Sequence, residues 1–262
     1  MKYLYVFVSL IFLSSCFGSY TEGEYYFQKQ DYEKAVSQFS KALFINVTDI
    51  KALHMRARSF EELEDFVSAK QDYEAILRLD PHYAQAYGGI GKLYWKMEDY
   101  VNAEIYFLRA AQKDPEDFEI IFLLGRSLIK NRRFRQADEF FDIAKRLEPE
   151  DARVYYYQGM ARTQKGDLLG AAGSFNMSLK YDPDNLSALY NRGIVRMLVG
   201  HSTWAVEDFD EVLKAKPDHV EALARRGNAK INANDPSGCQ DLQDAANKGS
   251  WYAKMWLERC GK

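Results

Sequence analysis

The chain has 262 residues, of which 47% are apolar and 28% charged, with a net charge of −3. This balance fits an ordered chain, and the mild acidity argues against a nucleic-acid binder, which carries a basic excess. No Pro/Gly/Ser-rich linker or low-complexity tract interrupts it, and nothing beyond the first residues is apolar over a length that could span a bilayer.

The amino end opens with Lys2 and an eleven-residue apolar run, Tyr3 to Leu13. The run is shorter than the roughly 20 residues of a spanning helix and has the length of a signal-peptide core. Ser14, Ser15 and Cys16 follow, and Leu13-Ser14-Ser15-Cys16 resembles the lipobox of bacterial lipoproteins. That resemblance implies a cleaved signal peptide over residues 1–15 and lipidation of Cys16. The alternative is an ordinary secretory signal whose cleavage site contains a cysteine. The expected location is the bacterial cell envelope. Phe17 after the cysteine, instead of aspartate, is similar to outer-membrane sorting signals.

From there a fixed period takes over. Pro81, Pro115, Pro149, Pro183 and Pro217 are each 34 residues apart, the mark of a stacked repeat array. A column of small residues runs through Gly23, Ala57, Gly91, Gly125, Gly159, Gly193 and Gly227. Another runs from Ala35 through Ala69, Ala103, Ala137, Ala171 and Ala205 to Cys239. An aromatic column holds Phe39, Tyr73, Phe107, Phe141, Phe175 and Phe209, then breaks at Gln243. The small columns mark close helix approach, and the aromatic column is expected to fill the space between neighbouring units.

This register resembles the tetratricopeptide repeat (TPR), most clearly over Ala84 to Asp117, with Tyr87, Gly91, Tyr94, Ala103, Phe107, Ala110 and Pro115 at the family's positions. The resemblance implies an all-α fold: an α-α superhelix, or TPR solenoid, of about seven helix-turn-helix repeats with a concave groove. The repeats are placed at residues 16–49, 50–83, 84–117, 118–151, 152–185, 186–219 and, degenerate, 220–253, with a capping helix over 251–262.

The last repeat departs from the pattern. Asp235 and Pro236 read as an N-cap and first helical residue. Lys248-Gly249-Ser250 breaks the helix, and Ala253, Trp256, Leu257 and Cys260 then stand at helical spacing, as a cap requires. Cys239 and Cys260 lie 21 residues apart, at opposite ends of two consecutive antiparallel helices. Export favours a disulfide between them over two buried thiols.

Motifs for catalysis are absent. His54, His82, His201 and His219 match no metal spacing, and no GxSxG elbow occurs. Gly88-Gly89-Ile90-Gly91-Lys92 lacks the spacing of a phosphate loop. Glu61-Glu62 and Glu64-Asp65 read as solvated charges, and His82 and His219 as solvated turn residues. The expectation is a chain that is not an enzyme and needs no cofactor or metal.

By the TPR resemblance, the groove is lined by first-helix positions 2, 5, 9 and 12 of each repeat. Position 9 carries a cation ladder, Arg58, Lys92 and Arg126, with Trp95 and Phe122 beside it. Tyr156, Met160 and Tyr190 give an apolar stretch further on. Such a groove suits a peptide or protein partner. The lysine/asparagine set of the carboxylate-clamp TPRs is missing, since Tyr20, Glu24 and Met55 stand there. The expected function is a membrane-anchored scaffold or adaptor that binds an envelope protein and no nucleic acid. The build is similar to pilotins, to barrel-assembly accessory lipoproteins and to adaptors of envelope hydrolases. A small-molecule or glycan binder stays open as an alternative, as does an enzyme with an unrecognised site.

Overall fold

The computed structural model describes residues 19–261, all of them in helices or short turns. The expected signal segment and Cys16 lie outside the described residues. Helix α1 covers 19–28. It is followed by α2 (Tyr32–Ile45), α3 (Ile50–Glu62), α4 (Phe66–Leu79), α5 (Ala84–Lys96), α6 (Tyr100–Lys113) and α7 (Phe118–Lys130). A second compact body starts at Arg132. It holds α8 (Phe134–Leu147), α9 (Ala152–Lys165), α10 (Leu168–Tyr181), α11 (Leu186–Leu198), α12 (Ser202–Ala215), α13 (Val220–Asn232), α14 (Gly238–Asn247) and α15 (Trp251–Trp256), closed by a 3-10 turn, Leu257–Gly261. The architecture is an all-α solenoid of helix-turn-helix repeats with a short C-terminal cap. The division after Asn131 falls inside the fourth repeat.

The hairpins form for local reasons. Asp49, Asp65, Asp99, Asp117, Asp151, Asp167 and Asn185 each accept a backbone N–H of the helix they precede. Each supplies an acceptor for a donor with no partner inside the helix. The turn within each hairpin contains one residue of positive φ: Gln30, Glu64, Glu98, Arg132, Gly166, Gly200 and Asn234, again 34 apart. Only two of these are glycine, so the tight turn is imposed by the packing of the two helices around it.

That packing rests on a ring against a missing side chain. A Cβ on Gly23, Gly91, Gly159 or Gly193 would fall within 2.8 Å of Phe39, Phe107, Phe175 or Phe209 respectively. Each ring therefore sits against the glycine of its own hairpin, where the sequence pointed to the space between neighbours. Tyr73, whose own hairpin has Ala57 in the glycine column, lies instead against Gly89 of the following repeat.

Buried ion pairs tie second helices together in a way the sequence reading missed. Arg56 reaches Asp72 at 2.7 Å and the Ser40 hydroxyl at 3.1 Å. Four repeats later Arg192 reaches Asp208 at 2.6 Å and Asn176 at 2.8 Å, and Arg226 then reaches Asp241 at 2.7 Å and Asp210 at 2.8 Å. Each arginine joins its own second helix to the previous one. Asp208, 2% exposed, also pairs with Arg196 at 2.8 Å.

At the carboxyl end α14 starts at Gly238, two residues later than Asp235-Pro236 suggested, and the Asp235 carboxylate accepts the Ser237 N–H in the turn. Gly227 and Gly238 bring α13 and α14 into backbone contact, since a Cβ on Gly227 would stand 2.7 Å from the Gly238 carbonyl oxygen. Ala253, Tyr252, Trp256 and Leu257 cover Leu242 and Ala245. Cys239 and Cys260 are joined by a disulfide, with Cα atoms 5.6 Å apart.

Candidate functional site

A cavity of about 240 Å³ opens between α3, α5 and α7, all in the first body. It exists because of a side chain that is absent. Position 5 carries Tyr20, His54, Phe122, Tyr156, Tyr190 and, in the degenerate last repeat, Ala224, but Gly88 in the third. Gly89 beside it leaves room for the Tyr73 ring. His54, Arg58, Glu61, Gln85, Lys92 and Asp117 stand around this glycine floor.

The charges around the cavity are unequally committed. Asp117 accepts the Ile120 N–H and caps α7. Glu61 is not solvated as its sequence context suggested: it accepts a short hydrogen bond from the Tyr73 hydroxyl, and burial raises its carboxyl above the ordinary range. His54 meets Tyr73 and Tyr83 edge-on, with ring centroids 5.9 and 5.7 Å away. Burial, then Arg58 and Lys92, lower its pKa to about 4, so it is neutral at pH 7. Its buried Nδ1 has no hydrogen-bond partner. The Arg58 guanidinium lies over Phe27, 4.9 Å from the ring centroid. Among the described residues neither Arg58 nor Lys92 has a hydrogen-bond or ion-pair partner. Two cations without hydrogen-bond or ion-pair partners and a buried ring nitrogen thus surround a space that also holds the Gln85 amide and the Glu61 and Asp117 carboxylates, the two carboxylates each already accepting one hydrogen bond.

The third cation of the expected ladder stands elsewhere. Arg126 covers Trp95 at 4.7 Å and Phe122 at 5.7 Å, and neither Arg126 nor Trp95 lines the cavity. Phe122 is 2% exposed and stacks on Phe118, so it is an interior residue and not an open groove contact. The reason is its place in α7: Ile120 to Leu124 are all apolar and all buried, so this stretch of the helix is enclosed on every side.

In the second body Tyr156 and Tyr190 line a separate cavity of about 280 Å³ with Ser187, Asn191, Lys216 and His219. Asn191 donates to the Tyr156 hydroxyl at 3.3 Å. His219 is no solvated turn residue: its Nδ1 accepts the Ala222 N–H, and its ring stacks on Tyr190 at 5.3 Å. Met160 packs with the Phe175 cluster and does not line the cavity. Lys216 could have been singled out in the sequence, because the same column otherwise holds Asn46, Asp80, Asp114, Glu148 and Asp182.

The tetratricopeptide repeat family model matches residues 54–118 and 122–185. The chain is a tetratricopeptide repeat protein. Among solved structures the array is similar to YrrB, described as a TPR protein with an unusual peptide-binding site, at 28% identity and a TM-score of 0.66, over 71% of this chain and 95% of that one. A tetratricopeptide repeat protein from Parabacteroides merdae matches over 95% of this chain and all of its own, at 15% identity and a TM-score of 0.65. PilF of Pseudomonas aeruginosa matches over 80% of this chain and 96% of its own, at 19% identity and a TM-score of 0.67. The last two likenesses concern the fold alone. The fold is that of a non-catalytic scaffold. Among the described residues no cluster of His, Cys, Asp or Glu is placed to hold a metal ion, and no helix is long and apolar enough to cross a membrane.

Proposed function

We propose that this tetratricopeptide repeat protein is a scaffold of the bacterial cell envelope, held at the membrane by a lipid on Cys16, that binds an extended segment of a partner protein in its first body. The carrying observation is the pair of cations, Arg58 and Lys92, which make no hydrogen bond or ion pair among the described residues and line the cavity above the Gly88-Gly89 floor. A carboxylate, from an acidic side chain or a peptide terminus, supplies the missing acceptors through charge-assisted hydrogen bonds. The peptide-binding description of YrrB, 28% identical, supports the same use of the fold. The anchor rests on Leu13-Ser14-Ser15-Cys16.

A second reading draws on the cavity at Tyr156 and Tyr190. Its rings and polar rim of Ser187, Asn191 and Lys216 also suit a small molecule or a glycan. Selection of random peptides with free carboxyl termini on the full-length protein separates the two. Enrichment of carboxylate-bearing sequences supports the peptide scaffold. Failure to enrich any peptide, together with retention on a glycan array, supports the alternative.

A further inference from the structure

We infer that the turn after α2, carrying Phe44, Ile45 and Val47, rests on the lipid bilayer as a second contact beside the anchor; this rests on the membrane-anchored reading above. Phe44 is 89% exposed, Val47 72% and Ile45 40%. Ile45 shares its column with the equally exposed Leu79, but the first repeat is alone in carrying apolar residues at both the column of Phe44 and that of Val47. At the column of Phe44 the later repeats carry Arg78, Gln112, Arg146, Lys180 and Lys214. Val47 stands in the column of Pro81, Pro115, Pro149, Pro183 and Pro217. Two apolar departures from the register therefore coincide in one turn, and solvent exposure of both is unfavourable unless something covers them.

Placement in the fold indicates what covers them. Helices α1 and α2 run antiparallel: Phe27 meets Tyr32 at 5.4 Å beside the connecting turn, and Tyr20 meets Phe39 at 5.7 Å toward the other end. The end of α2 at Ile45 therefore lies at the end where α1 begins. The chain enters α1 only three residues after Cys16, a reach of at most about 10 Å. A lipid on Cys16 would hold this end of the first repeat against the membrane, with Phe44 and Val47 beside it. Lys41 and Lys51, both exposed, flank the apolar residues. The nearby Asp49 carboxylate is engaged with the N–H groups of Lys51 and Ala52. Apolar tips between lysines are the chemistry of an interfacial contact, in which side chains enter the headgroup boundary and ammonium groups meet phosphates.

The test uses the full-length, lipidated chain on vesicles of phosphatidylethanolamine and phosphatidylglycerol. A fluorophore is placed at Val47→Cys or, as control, at Leu198→Cys, which is exposed in the second body. Acyl-brominated lipids should quench the Val47 label several-fold more than the Leu198 label, and Phe44→Ser should reduce that difference. Mass spectrometry of the mature terminus and flotation with the vesicles read the anchor separately. Lipidated protein that floats but shows equal quenching at both positions overturns the bilayer contact alone. An unmodified Cys16 overturns the contact and the anchored reading together. A change of oligomeric state in Phe44→Ser without membrane quenching assigns the turn to a second copy and also overturns the proposal.

Discussion

The guanidinium of Arg126 lies over the ring of Trp95, 4.7 Å from its centroid. The two are 31 residues apart, and the same spacing sets Arg58 over Phe27 at 4.9 Å. Lys92 stands 31 residues after Glu61 and lowers the cost of ionising it. In the first body, position 9 of one repeat thus meets position 12 of the repeat before. Arg58 and Arg126 are thereby positioned over a ring, a contact that leaves the guanidinium N–H groups of Arg58 without a hydrogen-bond partner, whereas Lys92 faces a carboxylate. Trp95→Ala and Arg126→Ala should accordingly be coupled, by roughly 0.5–2 kcal/mol in a double-mutant cycle of urea unfolding. Strict additivity would mean that the stack contributes nothing.

His54 should make the fold acid-sensitive. Its folded pKa is depressed to about 4, below the ordinary histidine value. Its contribution is therefore full above the unfolded pKa, near 6.5, and is lost as pH falls toward 4. Glu61, raised by burial, acts in the opposite sense and favours the folded state at low pH. His54→Tyr, which installs the residue found at this column in three other repeats, removes only the first effect. Between pH 7 and pH 4 wild type should lose on the order of 2 kcal/mol more than this variant in chemical denaturation. Parallel curves would show that His54 is solvated.

Asp208 should be the costliest single acid to remove. Burial pushes its carboxyl up, and Arg192 and Arg196 oppose that shift. Asp208→Ala leaves both arginines without their shared acceptor and should cost about 3 kcal/mol. Asp210→Ala, which removes a half-exposed partner of Arg226, should cost under about 1 kcal/mol. Urea midpoints of the two variants give the comparison, and equal costs would contradict the burial argument.

Two glycines in neighbouring helices should answer alanine with opposite signs. A Cβ on Gly159 would stand 2.7 Å from the buried Phe175 ring, whereas one on Gly173 would meet nothing within 4 Å. Gly159→Ala should lower the melting temperature. Gly173→Ala, in the exposed interior of α10, should raise stability by about 0.5–1 kcal/mol through helix propensity alone.

The repeats were legible because every hairpin solves the same packing problem, so glycine, ring and proline recur at one period. The cavity was not. It is produced by Gly88, and a missing side chain leaves no positive mark in a column that runs through Tyr, His and Phe and ends in Ala224. Glu61 looked solvated because its partner, the Tyr73 hydroxyl, comes from the other helix of its hairpin. Phe122 looked like a groove residue because position 5 was read without the apolar run around it. The arginine–aspartate ties were visible as residues, with Arg56, Arg192 and Arg226 in one column, but their acceptors sit in two different second helices.

The central claim is that a carboxylate-bearing peptide occupies the cavity above Gly88 and Gly89. Its most direct test is the affinity of a library-selected peptide for wild type, for the double variant Arg58→Glu/Lys92→Glu, and for Gly88→Leu, with circular dichroism showing that each is folded. The account predicts at least about tenfold weaker binding to both variants, and unchanged binding to Arg135→Glu, an exposed cation in the second body. Equal affinity for wild type and the two cavity variants would place the binding surface elsewhere and contradict the account.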